Sequence, residues 1–199
     1  MGWLYMQTLR GQAGPREYLD DQYTFEDPVA SVRVLRSALV GMRTYYAAVE
    51  QTKIPSGERT VSAVVCLVRY NPRDREGYIF GYKDMSEEMG PNEARCPAAV
   101  LDLLTATGST NAKDWRERCR ANLALAKQRA AKPKPRPGQS VVFDEPIRFK
   151  DGRMFGRLDV AAYSRSRRTV IFRDPEFGGL YGIPNLRARD YEVVGTPRE

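Results

Sequence analysis

Histidine is absent from this chain, and that absence excludes more chemistry than any residue present supports. Without imidazole there is no Ser/His/Asp triad, no Cys/His dyad, no HExxH zinc site and no HNH-type nuclease. Cysteine is scarce. Cys66, Cys96 and Cys119 form no CxxC pair, and an odd number fits a reducing compartment better than a disulfide framework, which points to a cytoplasmic protein. Long hydrophobic runs are missing too: the longest, VSAVVCLV at 61–68, is rich in β-branched residues and falls far short of the roughly 20 residues a membrane helix needs. It predicts a buried strand, and no membrane partner is expected. The first residues lack a basic leader and a long apolar segment, so secretion is not expected; Gly2 is no myristoylation signal because Met6 stands where Ser or Thr is required. P-loop and Rossmann glycine patterns are absent, and no Asp or Glu is followed two positions later by Lys, as metal nucleases ending in (D/E)xK require. No cofactor and no metal are expected, and no catalytic residue is assigned.

What is present is the balance of a folded protein, with 42% hydrophobic and 29% charged residues over a length, 199 residues, that accommodates a medium domain and a small one. The net charge of +7 is unevenly spread. Residues 1–110 hold 12 Lys and Arg against 14 Asp and Glu, residues 139–199 hold 11 against 9, and residues 111–138 hold 9 against 2. The excess therefore resides in one short region.

The pattern predicts an α+β protein: an N-terminal antiparallel sheet with packed helices, followed by a small SH3-like β-barrel. Segments at 31–41, 43–52, 59–70 and 77–85 are rich in Val, Tyr and Ile and are separated by the turn signals Gly41, IPSG and NPRDREG, which reads as a meander. GWLYMQT reads as a first strand, and short helices are expected at 14–24 and 96–104. The longest helical signal begins at Ser109, Thr110 or Asn111 as cap and runs to about residue 132. Its apolar side is Trp115, Cys119, Leu123, Ala126 and Ala130. KPKPRPG cannot continue a helix, because each proline removes a donor and biases its predecessor towards extended backbone. About five short strands follow, few enough to close a strongly bent barrel. The expected division is 1–131 as the α+β domain, 132–138 as a stiff polyproline-II linker and 139–199 as the barrel.

The leading candidate site is a basic stripe and arm. Lys113, Arg116, Arg120 and Lys127 fall within about 60° of one another on the helix, beside its apolar face. Lys132, Lys134 and Arg136 extend the charge into the proline arm. Clustered cations without interspersed acids meet phosphates, and each phosphate neutralised releases counterion. Arg118 and Arg129 lie on the other flank. A second candidate groups Lys83, Asp84, Glu87 and Glu88 at a strand end before a Gly-Pro loop, where carboxylates bind Mg²⁺ or act as acid and base. Cys96, after Arg95 and before a helix start, reads as a structural or merely exposed thiol, with a reactive thiol as the alternative, whereas Cys66 belongs to the core. Among the C-terminal aromatics, Phe177 and Tyr181 are expected to be exposed for stacking and the others, Tyr163 included, to form the barrel core.

At MGWLYMQTL, YYAAVE, VVCLVRYNPRDREGYIFGYKDM, MGP and WRERCR the chain resembles an uncharacterised family of bacterial proteins known as a domain of unknown function, met in proteobacteria and mobile elements. The resemblance runs over nearly the whole chain. It implies a plasmid or phage accessory setting, in counter-defence or regulation, and implies no activity. The expected partner is nucleic acid or a nucleoprotein complex. The alternatives are a protein-interaction module that docks a partner on the barrel, and an enzyme centred on Lys83, Asp84 and Glu87.

Overall fold

The computed structural model describes residues 4–6, 15–70, 80–164 and 169–195, and the chain divides into two compact units, Met1–Ala124 and Leu125–Glu199. The NPRDREG turn expected at 71–77 lies outside the described residues.

In the N-terminal unit, β1 (Leu4–Met6), β2 (Phe25–Glu26), β3 (Ala30–Val40), β4 (Thr44–Lys53), β5 (Arg59–Tyr70) and β6 (Phe80–Ser86) form one antiparallel sheet in the order β1-β6-β5-β4-β3-β2. The helix α1 (Pro15–Gln22) lies between β1 and β2 in sequence, and Tyr18 and Leu19 bury against Ala47, Val49, Val64 and Cys66 on one sheet face. On the other face α2 (Ala98–Leu101) and α3 (Thr110–Ala131) place Val100, Leu101, Trp115 and Cys119 against Tyr46, Ala48, Ala63 and Val65. Strands β4 and β5 are thus covered on both sides. That is why 61–68 reads as a continuous apolar run and not as an alternation. The Ser109 hydroxyl accepts from the Ala112 amide at 3.3 Å, which makes Ser109 the cap of α3.

Two expectations are corrected. The helix expected over 96–104 contracts to the four residues of α2, and the apolar side of α3 ends at the half-buried Leu123, since Ala126 and Ala130 are exposed. Small side chains gain too little from burial to fix where a helix docks.

In the C-terminal unit, β7 (Ser140–Arg148), β8 (Met154–Tyr163), β9 (Thr169–Arg173), β10 (Leu180–Pro184) and β11 (Tyr191–Val194) form a curled antiparallel sheet in the order β10-β9-β8-β7-β11. Register shifts between Val142 and Ile147 and between Val160 and Ala162 bend it, and Phe143, Leu158, Val160, Phe172 and Ile183 fill its concave side. One 3₁₀ turn, Leu186–Ala188, precedes β11. Among the described residues no helix is long and apolar enough to cross a membrane.

Candidate nucleic-acid interface

The nine cations of 111–138 have different fates. Arg116 is the clearest correction: it is buried, and its Nε and Nη2 each lie 2.6 Å from a carboxylate oxygen of Glu87. Its Nη1 donates to the Thr105 carbonyl. The reason lies in the sheet. The ladder between β5 and β6 ends at Val64 and Ser86, so the next β5 amide, Ala63, has no strand partner and donates instead to Glu87 Oε1 at 3.1 Å. Glu87 sits in the one-turn 3₁₀ helix Glu87–Met89 that continues β6, and Gly90 at φ 61° closes that turn. A buried carboxylate needs a charge partner, and Arg116 at the edge of the apolar face of α3 supplies one with fork geometry.

Four other donors of this half of α3 act on backbone carbonyls. Asn111, Trp115, Arg118 and Asn122, spaced to share one helix side, donate to the carbonyls of Glu88, Pro91, Glu93 and Ala94, with Trp115 Nε1 to Glu93 at 2.9 Å and Asn122 Nδ2 to Ala94 at 2.7 Å. They satisfy the backbone of an irregular segment that has no ladder of its own. Lys113 and Arg120 are exposed, with no carboxylate partner among the described residues.

The second candidate, Lys83, Asp84, Glu87 and Glu88, is not one site. Lys83 pairs in register with Leu67 and Asp84 with Cys66, so their side chains leave opposite faces of the sheet. Asp84 accepts from the Tyr23 hydroxyl, Glu87 is taken by Arg116, and Glu88 is exposed. Among the described residues no group of His, Cys, Asp and Glu is placed to hold a metal. Cys96 takes its structural reading and not the reactive alternative: it is fully buried, and burial pushes its thiol well above the ordinary range. Cys66 lies in the core as expected, its thiol pushed up to about 12 by burial.

The proline arm is fastened to the C-terminal unit. The Tyr191 hydroxyl donates to the Pro133 carbonyl at 2.7 Å, and the Tyr163 hydroxyl donates to the Pro135 carbonyl. Burial raises both phenols above their ordinary pKa and so keeps them protonated, as these donations require, with the Arg187 guanidinium acting in the opposite direction. Lys132 is a second correction, because it is bound to Asp190 Oδ1 and to the Arg189 carbonyl, each at 2.6 Å. Gln139 accepts from the Arg136 amide at 2.7 Å and donates to the Gly195 carbonyl at 3.0 Å.

Lys127, Arg129, Lys134 and Arg136 stay exposed in this unit without a carboxylate partner among the described residues. Lys134 holds its ammonium 4.7 Å above the Tyr163 ring. Arg129 and Lys134 join Arg187 and Asn185 around an open cleft of about 470 Å³, whose remaining lining is Tyr163, Tyr191, Leu186 and other mostly apolar groups, without a carboxylate among the described residues. Residues 106–186 match the model of a family described as a domain of unknown function, DUF6927. The match takes in α3, the arm and β7 to β10, but not the N-terminal sheet, so it is narrower than the resemblance drawn from the sequence. No curated protein and no solved structure matches the chain.

The cleft was not legible in the sequence. Arg129, Tyr163, Asn185 and Arg187 are far apart in the chain and come together only through the pairing of the C-terminal strands, with Asn185 at φ 52° ahead of the 3₁₀ turn. Of the two aromatics expected to be exposed, Phe177 is 75% exposed, with the Arg153 guanidinium 5.5 Å from its ring centre. Tyr181 instead packs between Phe149 and Phe155, and its hydroxyl reaches Asp151 at 3.1 Å.

Proposed function

We propose that this protein binds nucleic acid or a nucleoprotein complex through cations left unpaired by folding, chiefly those of the C-terminal unit. The observation behind this reading is the fate of the basic region. Carboxylates take up Arg116 and Lys132, whereas Lys127, Arg129, Lys134 and Arg136 stand exposed without one among the described residues. Unpaired surface cations gain little by remaining so, and phosphates are the polyanion they complement. We read the C-terminal sheet as SH3-like; its strand order and the 3₁₀ turn ahead of the last strand support this. A cytoplasmic, mobile-element accessory role in counter-defence or regulation fits such binding and belongs to the same proposal.

Fluorescence anisotropy of the intact chain with mixed-sequence oligonucleotides across a salt series tests it. The logarithm of affinity is expected to fall linearly with that of salt, by about 0.7 to 0.9 per phosphate engaged. Charge reversal at Lys127, Arg129 and Arg136 together is expected to lower affinity by about a hundredfold or more. Binding that ignores salt, or that survives the reversal, contradicts the reading.

One observation favours a protein-interaction module instead. Met154, Phe177 and Leu180 of the C-terminal unit are exposed apolar side chains. Under that reading Phe177→Ser with Leu180→Ser abolishes partner capture, and the unaltered chain shows no salt-dependent affinity for oligonucleotides.

A further inference from the structure

The cleft beside the proline arm carries the binding reading one step further. It is lined by the exposed cations Arg129, Lys134 and Arg187 and by the more buried Tyr163 and Tyr191, with no carboxylate among the described lining residues. Arg187 lies close enough to both tyrosines to oppose the upward shift of their phenols, and Lys134 sits 4.7 Å above the Tyr163 ring, so cations and rings belong to one cluster. The rings are held in place by their donations to Pro133 and Pro135, which also fix where Lys134 emerges from the arm. Asn185, at φ 52°, caps the 3₁₀ turn that carries Arg187.

Positive charge around a recessed, mostly apolar wall fits an anion with a flat apolar body attached. Its volume, about 470 Å³, falls within the range of small-ligand sites. A duplex presents its phosphates on the outside and keeps its bases stacked within, so it offers nothing to a recess of this kind. An unpaired nucleotide offers both parts at once, a phosphate for the cations and a base for the wall. We propose that this cleft takes the phosphate and base of one unpaired nucleotide, which makes single-stranded nucleic acid the ligand class of this protein. The proposal rests on the nucleic-acid reading above and adds the preference for a single strand and the residues that produce it.

The test uses the intact chain, with a short mixed-sequence DNA strand and its blunt duplex compared at one salt concentration. The single strand is expected to bind about tenfold tighter. Arg187→Gln with Lys134→Gln is expected to abolish that preference, while Arg148→Gln with Lys150→Gln, the same loss of charge at residues outside the cleft lining, preserves it. If the wild type binds both ligands equally, or both pairs of substitutions act alike, the cleft proposal is overturned while nucleic-acid binding stands; if the wild type binds neither ligand, both readings fall. A measurement on the unaltered protein guards against variants that do not fold. Photocrosslinking to a strand carrying 4-thiothymidine is expected to mark peptides containing Tyr163 or Tyr191, and adducts confined to other peptides overturn the proposal.

Discussion

The N-terminal unit uses five side chains of α3 to complete its own structure, whereas the C-terminal unit leaves four of its cations, Lys127, Arg129, Lys134 and Arg136, exposed. Arg116 closes a buried carboxylate, and Asn111, Trp115, Arg118 and Asn122 complete the backbone of an irregular segment. Beyond Leu123 the residues of α3 are exposed, and there Lys127 and Arg129 keep their charge for something else. The lesson is that a cation's role follows from what its own turn of helix packs on, not from the density of like charge around it in sequence. Arg116 and Arg120 are one turn apart and both belong to the stripe, yet one is structural and the other is free of any carboxylate among the described residues.

The largest effect that sharpens this contrast is on stability. Arg116→Met leaves Glu87 buried without its charge partner, and urea unfolding is expected to show a loss of about 3–5 kcal/mol. Arg120→Met is expected to stay within about 0.5 kcal/mol. Equal losses would break the comparison. A smaller effect belongs to the arm. Tyr191→Phe removes one donor to Pro133 and is expected to cost about 0.5–1.5 kcal/mol, with faster hydrogen exchange at the Lys134 and Arg136 amides. Unchanged exchange would mean that the tyrosines do not hold the arm.

The smallest effect is a pH dependence. The hydrogen bond from Lys132, together with its charge, holds the Asp190 carboxyl below the ordinary value of 3.8. Because the folded value is the lower one, the contribution is complete above the unfolded value and is lost as pH falls through the folded one. Asp190 is exposed, so the contribution to stability is slight. The side-chain carboxyl signal of Asp190 in NMR is expected to titrate below pH 3.8, and Lys132→Gln is expected to return it to the ordinary range. A midpoint already ordinary in the wild type would remove this link between arm and sheet.

Much of the fold was legible because it rests on local pattern. The apolar run at 61–68 and the pair Trp115 and Cys119 signal their positions through composition and period, whereas the cap of α3 was narrowed only to Ser109, Thr110 or Asn111 and the Ala112 amide decides for Ser109. Strand β2, two residues long, is too short to leave a period. The site was legible only as a count of charges. Helical angle placed Arg116 beside the apolar face, but a long side chain at that border can turn either way, and only the end of the β6 ladder, which brings Glu87 beneath it, decides the direction. Lys132 was lost to Asp190 and Arg187 was gained by the cleft for the same reason: both depend on the pairing of the C-terminal strands, and Asp190 lies more than fifty residues from Lys132 in the chain.

Residue-resolved chemical footprinting, with lysine acetylation and arginine modification by phenylglyoxal read by mass spectrometry with and without single-stranded DNA, tests the central claim most directly. The account predicts that Lys127, Arg129, Lys134 and Arg187 react freely and become protected when DNA is added, while Arg116 resists modification in both states and Lys132 changes little. Protection of Arg116 and Lys132 in place of these four, or no protection at any of the four, would contradict it.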